Sequence, residues 1–136
     1  MLIIADANEL FSAMIAKGKT RELFLDFRIR ISSPRYIIRE FQKHIEIIKE
    51  KSELNEEELT NLLLIISQKI TFFEPEQLKE YIKTAEKISP DPDDVEYFAL
   101  ALKLNCPIWS EDKDLKKQNI IKIISTSELI QELENM

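Results

Sequence analysis

Short apolar segments alternate with helix-forming segments along the chain, and this alternation constrains the fold more than any other feature. The first segment, Leu2–Ala5, is apolar throughout and is followed directly by Asp6. A continuous short apolar segment is typical of a strand that is buried on both faces. Because helical segments separate the strands, the connections must cross over the sheet. We therefore expect a mostly parallel sheet with helices on both faces.

Apolar periodicity and the positions of Ser, Asn and Pro predict the individual elements. The predicted strands are Leu2–Ala5, Arg28–Ser32, Ile70–Phe73, Pro107–Trp109 and Lys122–Ile124. The predicted helices cover 7–16, 20–27, 34–51 with Pro34 near the first position, 56–66 after an Asn55 N-cap, 76–87, 93–104 and 127–133. The predicted fold class is α/β, a three-layer α/β/α arrangement around about five strands.

Length and composition limit the kinds of site that the chain can hold. The 136 residues fit one domain, 1–136. A single cysteine, Cys106, and a single histidine, His44, exclude an internal disulfide, Cys-based zinc or iron–sulfur sites and His-rich metal sites. The N-terminus lacks the layout of a signal peptide, and no apolar run approaches the roughly 20 residues of a membrane span. We therefore expect a cytoplasmic protein with no membrane partner.

Charge is distributed unevenly along the chain. The formal net charge is −6, yet the segment 17–43 carries eight basic and three acidic residues, a net +5, which leaves −11 for the remainder. Such a basic segment could follow a phosphate backbone, and within it Arg35, Arg39 and Lys43 are the candidate RNA-binding residues. The alternative is that these residues are only the solvated faces of helices.

Four acids far apart in the sequence are predicted to meet at one edge of the sheet. Asp6 follows the first strand, and Asp112 follows Trp109 by three residues. Asp94 lies in the first turn of a helix that returns to the sheet, and Glu40 lies near the start of the helix after the second strand. Ligands of parallel α/β folds bind beyond the carboxyl ends of the strands. We therefore expect these side chains to form the functional site.

Carboxylates in such a cluster repel each other unless cations hold them together. Oxygen ligands favour Mg²⁺ or Mn²⁺ over zinc or copper. The predicted catalytic and metal-binding residues are therefore Asp6, Glu40, Asp94 and Asp112, with one or two cations. The chain shows no Ser/His or Cys/His pair, so the expected chemistry is attack by a metal-activated water, with no side-chain nucleophile.

Several of these residues also have purely structural interpretations. If Pro92 is the first helical residue, Asp91 is the N-cap and Asp94 resembles its capping-box partner. Asp112 could cap a turn before Leu115. His44 is more simply a surface residue than a ligand, and Trp109 is more simply a core residue than a base-stacking one.

Three sequence blocks, IIADANELFSA, YIIREFQKH and DPDDVEYFALALKLNCPIWSEDKDL, together resemble a PIN domain over essentially the whole chain. The resemblance is to a standalone, archaeal-type subgroup. It implies a five-stranded parallel sheet, Mg²⁺ or Mn²⁺, and endoribonuclease activity on single-stranded RNA. The residues that match the family pattern are the core acids Asp6, Glu40, Asp94 and Asp112, a candidate fifth acid Asp114, and the polar helpers Asn8 and Ser110.

The resemblance also implies partners. Many PIN domains are toxins of toxin–antitoxin pairs, others process ribosomal or messenger RNA, and family members often form homodimers. An antitoxin protein is therefore a possible partner, and the segment Asn55–Lys69 is a candidate dimer face.

Two other functions stay open from the sequence alone. One is a catalytically silent PIN-like module that binds RNA or a protein. The other is a phosphotransfer domain, such as a receiver or a haloacid-dehalogenase-like phosphatase. The second is disfavoured because Asp6-Ala7-Asn8 contains no Asp-x-Asp pair after the first strand.

Overall fold

A computed structural model describes residues 1–136, and its elements alternate between strands and helical segments as the sequence predicts. In chain order they are β1 Leu2–Ala5, α1 Ala7–Ile15, α2 Lys19–Phe24, β2 Arg30–Pro34, α3 Tyr36–Lys43, α4 Ile45–Ser52, α5 Glu56–Ser67, β3 Ile70–Phe73, α6 Pro75–Leu78, α7 Ile82–Ile88, α8 Val95–Leu104, β4 Ile108–Trp109, β5 Ile123–Ile124 and α9 Thr126–Glu134. Single 3-10 turns cover Lys79–Tyr81, Pro92–Asp94 and Lys113–Lys117. None of the helices is both long and apolar enough to cross a membrane.

The five strands form one sheet in the order β3-β2-β1-β4-β5, and every neighbouring pair is parallel. At the centre of the sheet, Ile4 of β1 lies between Ser32 of β2 and Ile108 of β4. The chain leaves β1 toward β2 and β3, whereas β4 leads outward to β5. The strand order therefore reverses between β1 and β4, which is the position where parallel α/β folds bind ligands.

Alternating residues of the strands supply two hydrophobic cores, one on each face of the sheet. Ile3 and Ala5 of β1 pack into the core formed with α1 to α5 and α9, whereas Ile4 packs into the core formed with α6, α7 and α8. Since successive strand residues point to opposite faces, the apolar run of β1 serves both cores. The predicted three-layer α/β/α fold class is confirmed.

The predicted position of Pro34 at the start of a helix is wrong. Pro34 is instead the last residue of β2, where it pairs in register with Phe73 of β3. Its missing N–H costs nothing at the strand end, and the next amide, that of Arg35, donates to the Phe73 carbonyl at 2.9 Å. The helix begins two residues after Pro34, at Tyr36.

The predicted continuous helix from 34 to 51 is broken at His44. The His44 ring Nδ1 contacts the Glu40 carbonyl at 2.9 Å, and this is the acceptor that the His44 amide would use in a continuous helix. The His44 amide donates to the Phe41 carbonyl at 3.1 Å instead. The ring also packs on Phe11, with centroids 5.1 Å apart. The chain therefore turns at His44 and starts α4 in a new direction.

Candidate acidic site at the carboxyl edge of the sheet

Asp6 stands at the centre of the candidate site, between the end of β1 and the start of α1. Its Oδ1 accepts the amides of Asn8 and Glu9 at 2.7 and 3.4 Å, so it is the N-cap of α1. Its Oδ2 accepts a short hydrogen bond from the Ser110 hydroxyl. Burial raises the pKa of Asp6 above its usual value, and the charge of Asp112 adds to that shift.

The loop after β4 brings Ser110 and Asp112 to the same edge. The Ser110 hydroxyl donates to Asp6 and accepts the Asp112 amide at 3.1 Å, so one side chain links the two acidic segments. Asp112 also caps the 3-10 turn Lys113–Lys117, where its Oδ1 accepts the Asp114 amide at 2.9 Å. Asp112 therefore does cap a turn before Leu115, as the structural interpretation predicts. Its charge also raises the pKa of Asp6, so it lies near that acid as well.

Asp94 is half-buried at the point where α8 begins. Its pKa is raised to about 7, first by burial and then by repulsion from Asp91, Asp6, Asp112 and Glu40. These carboxylates therefore lie within electrostatic reach of Asp94, and no basic side chain pairs with it. The structure thus brings Asp94 together with the three other predicted acids.

Glu40 approaches the site from α3 and is tied to α8. The Tyr97 hydroxyl donates to Glu40 Oε1 at 2.7 Å, which joins residues 57 positions apart in the sequence. Burial raises the pKa of Glu40, and the charge of Asp6 raises it further. Tyr97 itself is 2% exposed, and burial and the nearby acids raise its pKa. The remaining oxygen of Glu40, Oε2, has no hydrogen bond from the protein.

Two further predicted site residues, Asp114 and Asn8, lie at the margin of the acidic cluster. The Asp114 side chain is 72% exposed and pairs with Lys117 at 3.2 Å. Asn8 is exposed, and its contact with the site is through its backbone amide, which donates to Asp6. Neither side chain is held at the centre of the acidic cluster.

The acids that precede α8 behave as helix-start residues. Asp91 is the N-cap of the turn Pro92–Asp94, and its Oδ1 accepts the Asp93 amide at 2.9 Å. The predicted capping box with Asp94 does not form, because the Asp91 side chain bonds to Asp93 rather than to Asp94. This leaves the Asp94 carboxylate free to face the other acids.

The three predicted RNA-binding residues lie on or just before α3, next to the acidic cluster. Arg35 donates to Glu74 at 3.0 Å and stacks over the Phe72 ring at 4.6 Å, and Lys43 lies over the Tyr36 ring at 5.9 Å. Arg39 forms no ion pair. It lines a cavity of about 230 Å³ whose walls also include Arg35, Tyr36, Glu74, Pro75 and Glu96. Burial, and then the charges of Glu40 and Asp93, raise the pKa of Tyr36, so this cavity adjoins the acidic site.

The donor set suits a hard divalent cation in its chemistry. The side chains at this edge offer carboxylate and hydroxyl oxygens, with neither sulfur nor imidazole among them, and these are the donors that Mg²⁺ and Mn²⁺ prefer. In this structure no three acidic, histidine or cysteine side chains lie close enough together to share one ion. The acids are near neighbours, and their pKa values are raised by burial and, to a smaller extent, by the charges of the neighbouring acids.

Sequence reasoning missed two members of this edge, Glu9 and Tyr97. Glu9 is 2% exposed, and its pKa is raised to about 8 by burial and by the charges of Asp6 and Glu111. In the sequence Glu9 looks like an ordinary first-turn acid of α1, and nothing there distinguishes it from a solvated one. Tyr97 did carry a signal, since it follows Asp94 by three residues and so shares its side of the helix.

A family model described as PIN domain matches residues 4–134 of the chain. No curated protein shows significant similarity to it.

Proposed function

Because the chain belongs to the PIN domain family, whose members are generally nucleases, we propose that residues 1–136 form a single metal-dependent endoribonuclease domain. The proposed reaction is hydrolysis of phosphodiester bonds in single-stranded RNA, with Mg²⁺ or Mn²⁺ as the cofactor. The proposed catalytic and metal-binding residues are Asp6, Glu40, Asp94 and Asp112.

One observation carries this proposal: four acids from four separate segments converge where the strand order reverses. Asp6 follows β1, Asp112 follows β4, Glu40 lies on α3 and Asp94 begins α8. Burial, and then repulsion from Asp91 and from the three other proposed ligands, raises the pKa of Asp94 to about 7. Uncompensated carboxylates destabilise a fold, so their convergence needs a functional reason, and binding of a divalent cation supplies one.

We assign a separate role to each residue of the site from its contacts. Asp6, Asp94 and Asp112 would hold the cation, and Ser110 fixes Asp6 relative to Asp112. A bound Mg²⁺ or Mn²⁺ supplies Lewis acidity for the attack of water on the phosphorus.

Glu40 would complete the site from the side of α3. Because Tyr97 holds its Oε1, Glu40 would use Oε2 to hold a second cation, or to orient the attacking water and accept its proton. Arg35, Arg39 and Lys43 would bind the RNA phosphates beside the acids.

The decisive experiment compares the purified wild-type protein with Asp94→Asn. Each is incubated with labelled single-stranded RNA and single-stranded DNA in Mg²⁺, Mn²⁺ or EDTA. We expect RNA cleavage with either metal, none in EDTA, and a loss on the order of 100-fold or more in the variant. RNA cleavage that persists in EDTA, or that survives Asp94→Asn at full rate, would contradict the proposal.

A second candidate is a catalytically silent module of the same family that binds RNA or a protein. It is favoured by the absence of three ligand side chains close enough to share one ion. Calorimetric titration with Mn²⁺ separates the two candidates. A silent module shows no Mn²⁺ binding, or binding that Asp94→Asn leaves unchanged, whereas the nuclease shows binding that the variant weakens.

Pairing of two copies through α5 is part of the proposal. Leu64 and Ile65 of this helix are 58% and 52% exposed, an apolar surface that a second copy could cover. An antitoxin protein is the alternative partner for a toxin-type member. Sedimentation velocity of the purified protein tests the pairing, and a single monomeric species at micromolar concentration would exclude it.

A further inference from the structure

Glu9 is a buried acid beside the site that the proposed mechanism does not use. It stands at the third position of α1, where a glutamate usually stays near solvent and accepts the amide of the N-cap residue. Here the N-cap amide, that of Asp6, donates to the Trp109 carbonyl at 3.3 Å. Glu9 therefore has no local partner, and its side chain is directed into the protein, where it is 2% exposed.

The Glu9 carboxyl contacts the loop after β4 and the start of α9. Its Oε1 accepts the Glu111 amide at 3.1 Å, across 102 positions of sequence, and the nearby Thr126 hydroxyl lowers its pKa. The Glu111 carboxylate in turn accepts the Thr126 amide at 2.6 Å. The Thr126 hydroxyl oxygen accepts the Trp109 indole N–H at 3.0 Å. Glu9 is thus one anchor of a hydrogen-bonded chain that joins α1, β4 and α9.

Each residue of the loop 110–112 is held by a different anchor. The Ser110 hydroxyl binds Asp6, the Glu111 amide binds Glu9, and the Asp112 amide binds the Ser110 hydroxyl. Glu111 lies between the two residues that contact the acidic cluster. If its amide were released, the peptide planes on both sides of it could rotate, and the Asp112 carboxylate would no longer be fixed relative to Asp6.

We propose that Glu9 is a positioning residue of the acidic site, which sets the location of Asp112 relative to Asp6 by holding the Glu111 amide. The proposed effect on metal binding rests on the function proposed above, whereas the effect on the loop does not. The role needs only a hydrogen-bond acceptor at Oε1, so glutamine should perform it and an apolar residue of similar size should not.

Two substitutions in the full chain test this role. Glu9→Leu keeps the buried volume and removes the acceptor, whereas Glu9→Gln keeps the acceptor. Hydrogen exchange of the Glu111 amide, followed by NMR, measures the loop, and calorimetric titration with Mn²⁺ measures the site. In Glu9→Leu we expect exchange at Glu111 to accelerate about tenfold or more and Mn²⁺ affinity to fall about tenfold. In Glu9→Gln both quantities should stay within about twofold of wild type.

The outcomes separate the positioning role from a merely stabilising one and from the proposed function. Glu9→Leu with a lower unfolding temperature but wild-type Mn²⁺ affinity would overturn the positioning role. A Glu9→Gln variant that loses Mn²⁺ affinity would also overturn it, because the negative charge rather than the hydrogen-bond acceptor would then matter. This second measurement decides the question if Glu9→Leu fails to fold. If wild-type protein binds no Mn²⁺, the proposed function fails, and unchanged exchange at Glu111 in Glu9→Leu would overturn the positioning role independently.

Discussion

Acids at the two ends of the sheet have opposite environments. At the amino end, Asp26 lies in the connection before β2, is bonded by Arg28 through two side-chain hydrogen bonds of 3.0 and 2.7 Å, and has a pKa lowered to about 2. At the carboxyl end, Asp94 has no basic partner, and its pKa is raised to about 7. Asp26 therefore has a counter-charge, whereas Asp94 has none.

This difference supports the proposal that the carboxyl-end acids bind a cation. Folding alone would favour partners such as Arg28 beside every clustered carboxylate, because unbalanced charge in a half-buried place is costly. The carboxyl end instead gathers Asp6, Glu40, Asp94 and Asp112 around each other. The missing counter-charge is what a divalent cation would supply.

The largest expected effect is a loss of RNA cleavage when one acid of the cluster is replaced by asparagine. An exposed acid outside the cluster serves as the comparison. Asp112→Asn should lower metal-dependent RNA cleavage on the order of 100-fold or more, because the variant removes a carboxylate from the cluster. Asp114→Asn should change it less than about threefold, because that side chain is exposed and paired with Lys117. Initial rates of cleavage of a labelled RNA measure both.

Asp26→Asn is the matched control from the amino end. It removes one negative charge without touching the acidic cluster, and we expect full activity from it. Equal losses in Asp26→Asn and Asp112→Asn would mean that overall charge, rather than the local site, controls cleavage.

The contrast between the two ends also shows what the sequence could predict. Leu2–Ala5 followed by Asp6 was sufficient to place an acid at the carboxyl edge, because apolar runs and crossovers fix the strand direction. The breaks at Pro34 and His44 were not predictable in the same way. They depend on the Phe73 carbonyl of a neighbouring strand and on the ring of Phe11, and neither is near in sequence.

In the candidate site too, residues with a local sequence signal were predicted, and a residue that depends on distant contacts was not. Asp6, Glu40, Asp94 and Asp112 were named from strand ends, helix starts and the family resemblance, and their catalytic roles stay predictions. Glu9 could not be found, because its burial depends on Glu111 and Thr126, more than 100 positions away. Local patterns predict where a helix starts, but they do not predict which of its acids turns inward.

The pH dependence of the free energy of unfolding is an effect of intermediate size. Acids at the two ends of the sheet contribute to it with opposite signs. The folded pKa values of Glu9 and Asp94 are about 8 and about 7, above the values near 4 expected in the unfolded chain. Between those values the folded protein binds more protons than the unfolded chain. Their stabilising contribution is complete below about pH 4 and is lost as pH rises through about 7 to 8.

In EDTA we therefore expect the unfolding temperature to fall by roughly 5 °C between pH 5.5 and pH 8.5, as measured by circular dichroism. Asp26 contributes in the opposite direction, since its lowered pKa adds stability that is lost only as pH falls toward about 2. Added Mn²⁺ should remove the part of the decline that comes from Asp94, because it binds that acid in its ionised form. A profile in EDTA that rises from pH 5.5 to pH 8.5 would mean that basic groups already balance the carboxyl end.

The smallest expected effect concerns the arginines of the two ends. The Arg28 guanidinium is occupied by Asp26, whereas Arg39 forms no ion pair and lines the cavity beside the acidic site. An unpaired arginine can neutralise an RNA phosphate without first breaking an ion pair with a carboxylate.

The test is binding of a single-stranded RNA in EDTA, which prevents metal-dependent cleavage. Arg39→Gln should weaken this binding about threefold and reduce the slope of log affinity against log salt concentration by about 0.7. Arg28→Gln should alter neither quantity. If fluorescence anisotropy gave the same salt dependence for Arg39→Gln and wild type, the RNA would not pass over α3, and the acidic site would be approached from the side of α9 instead.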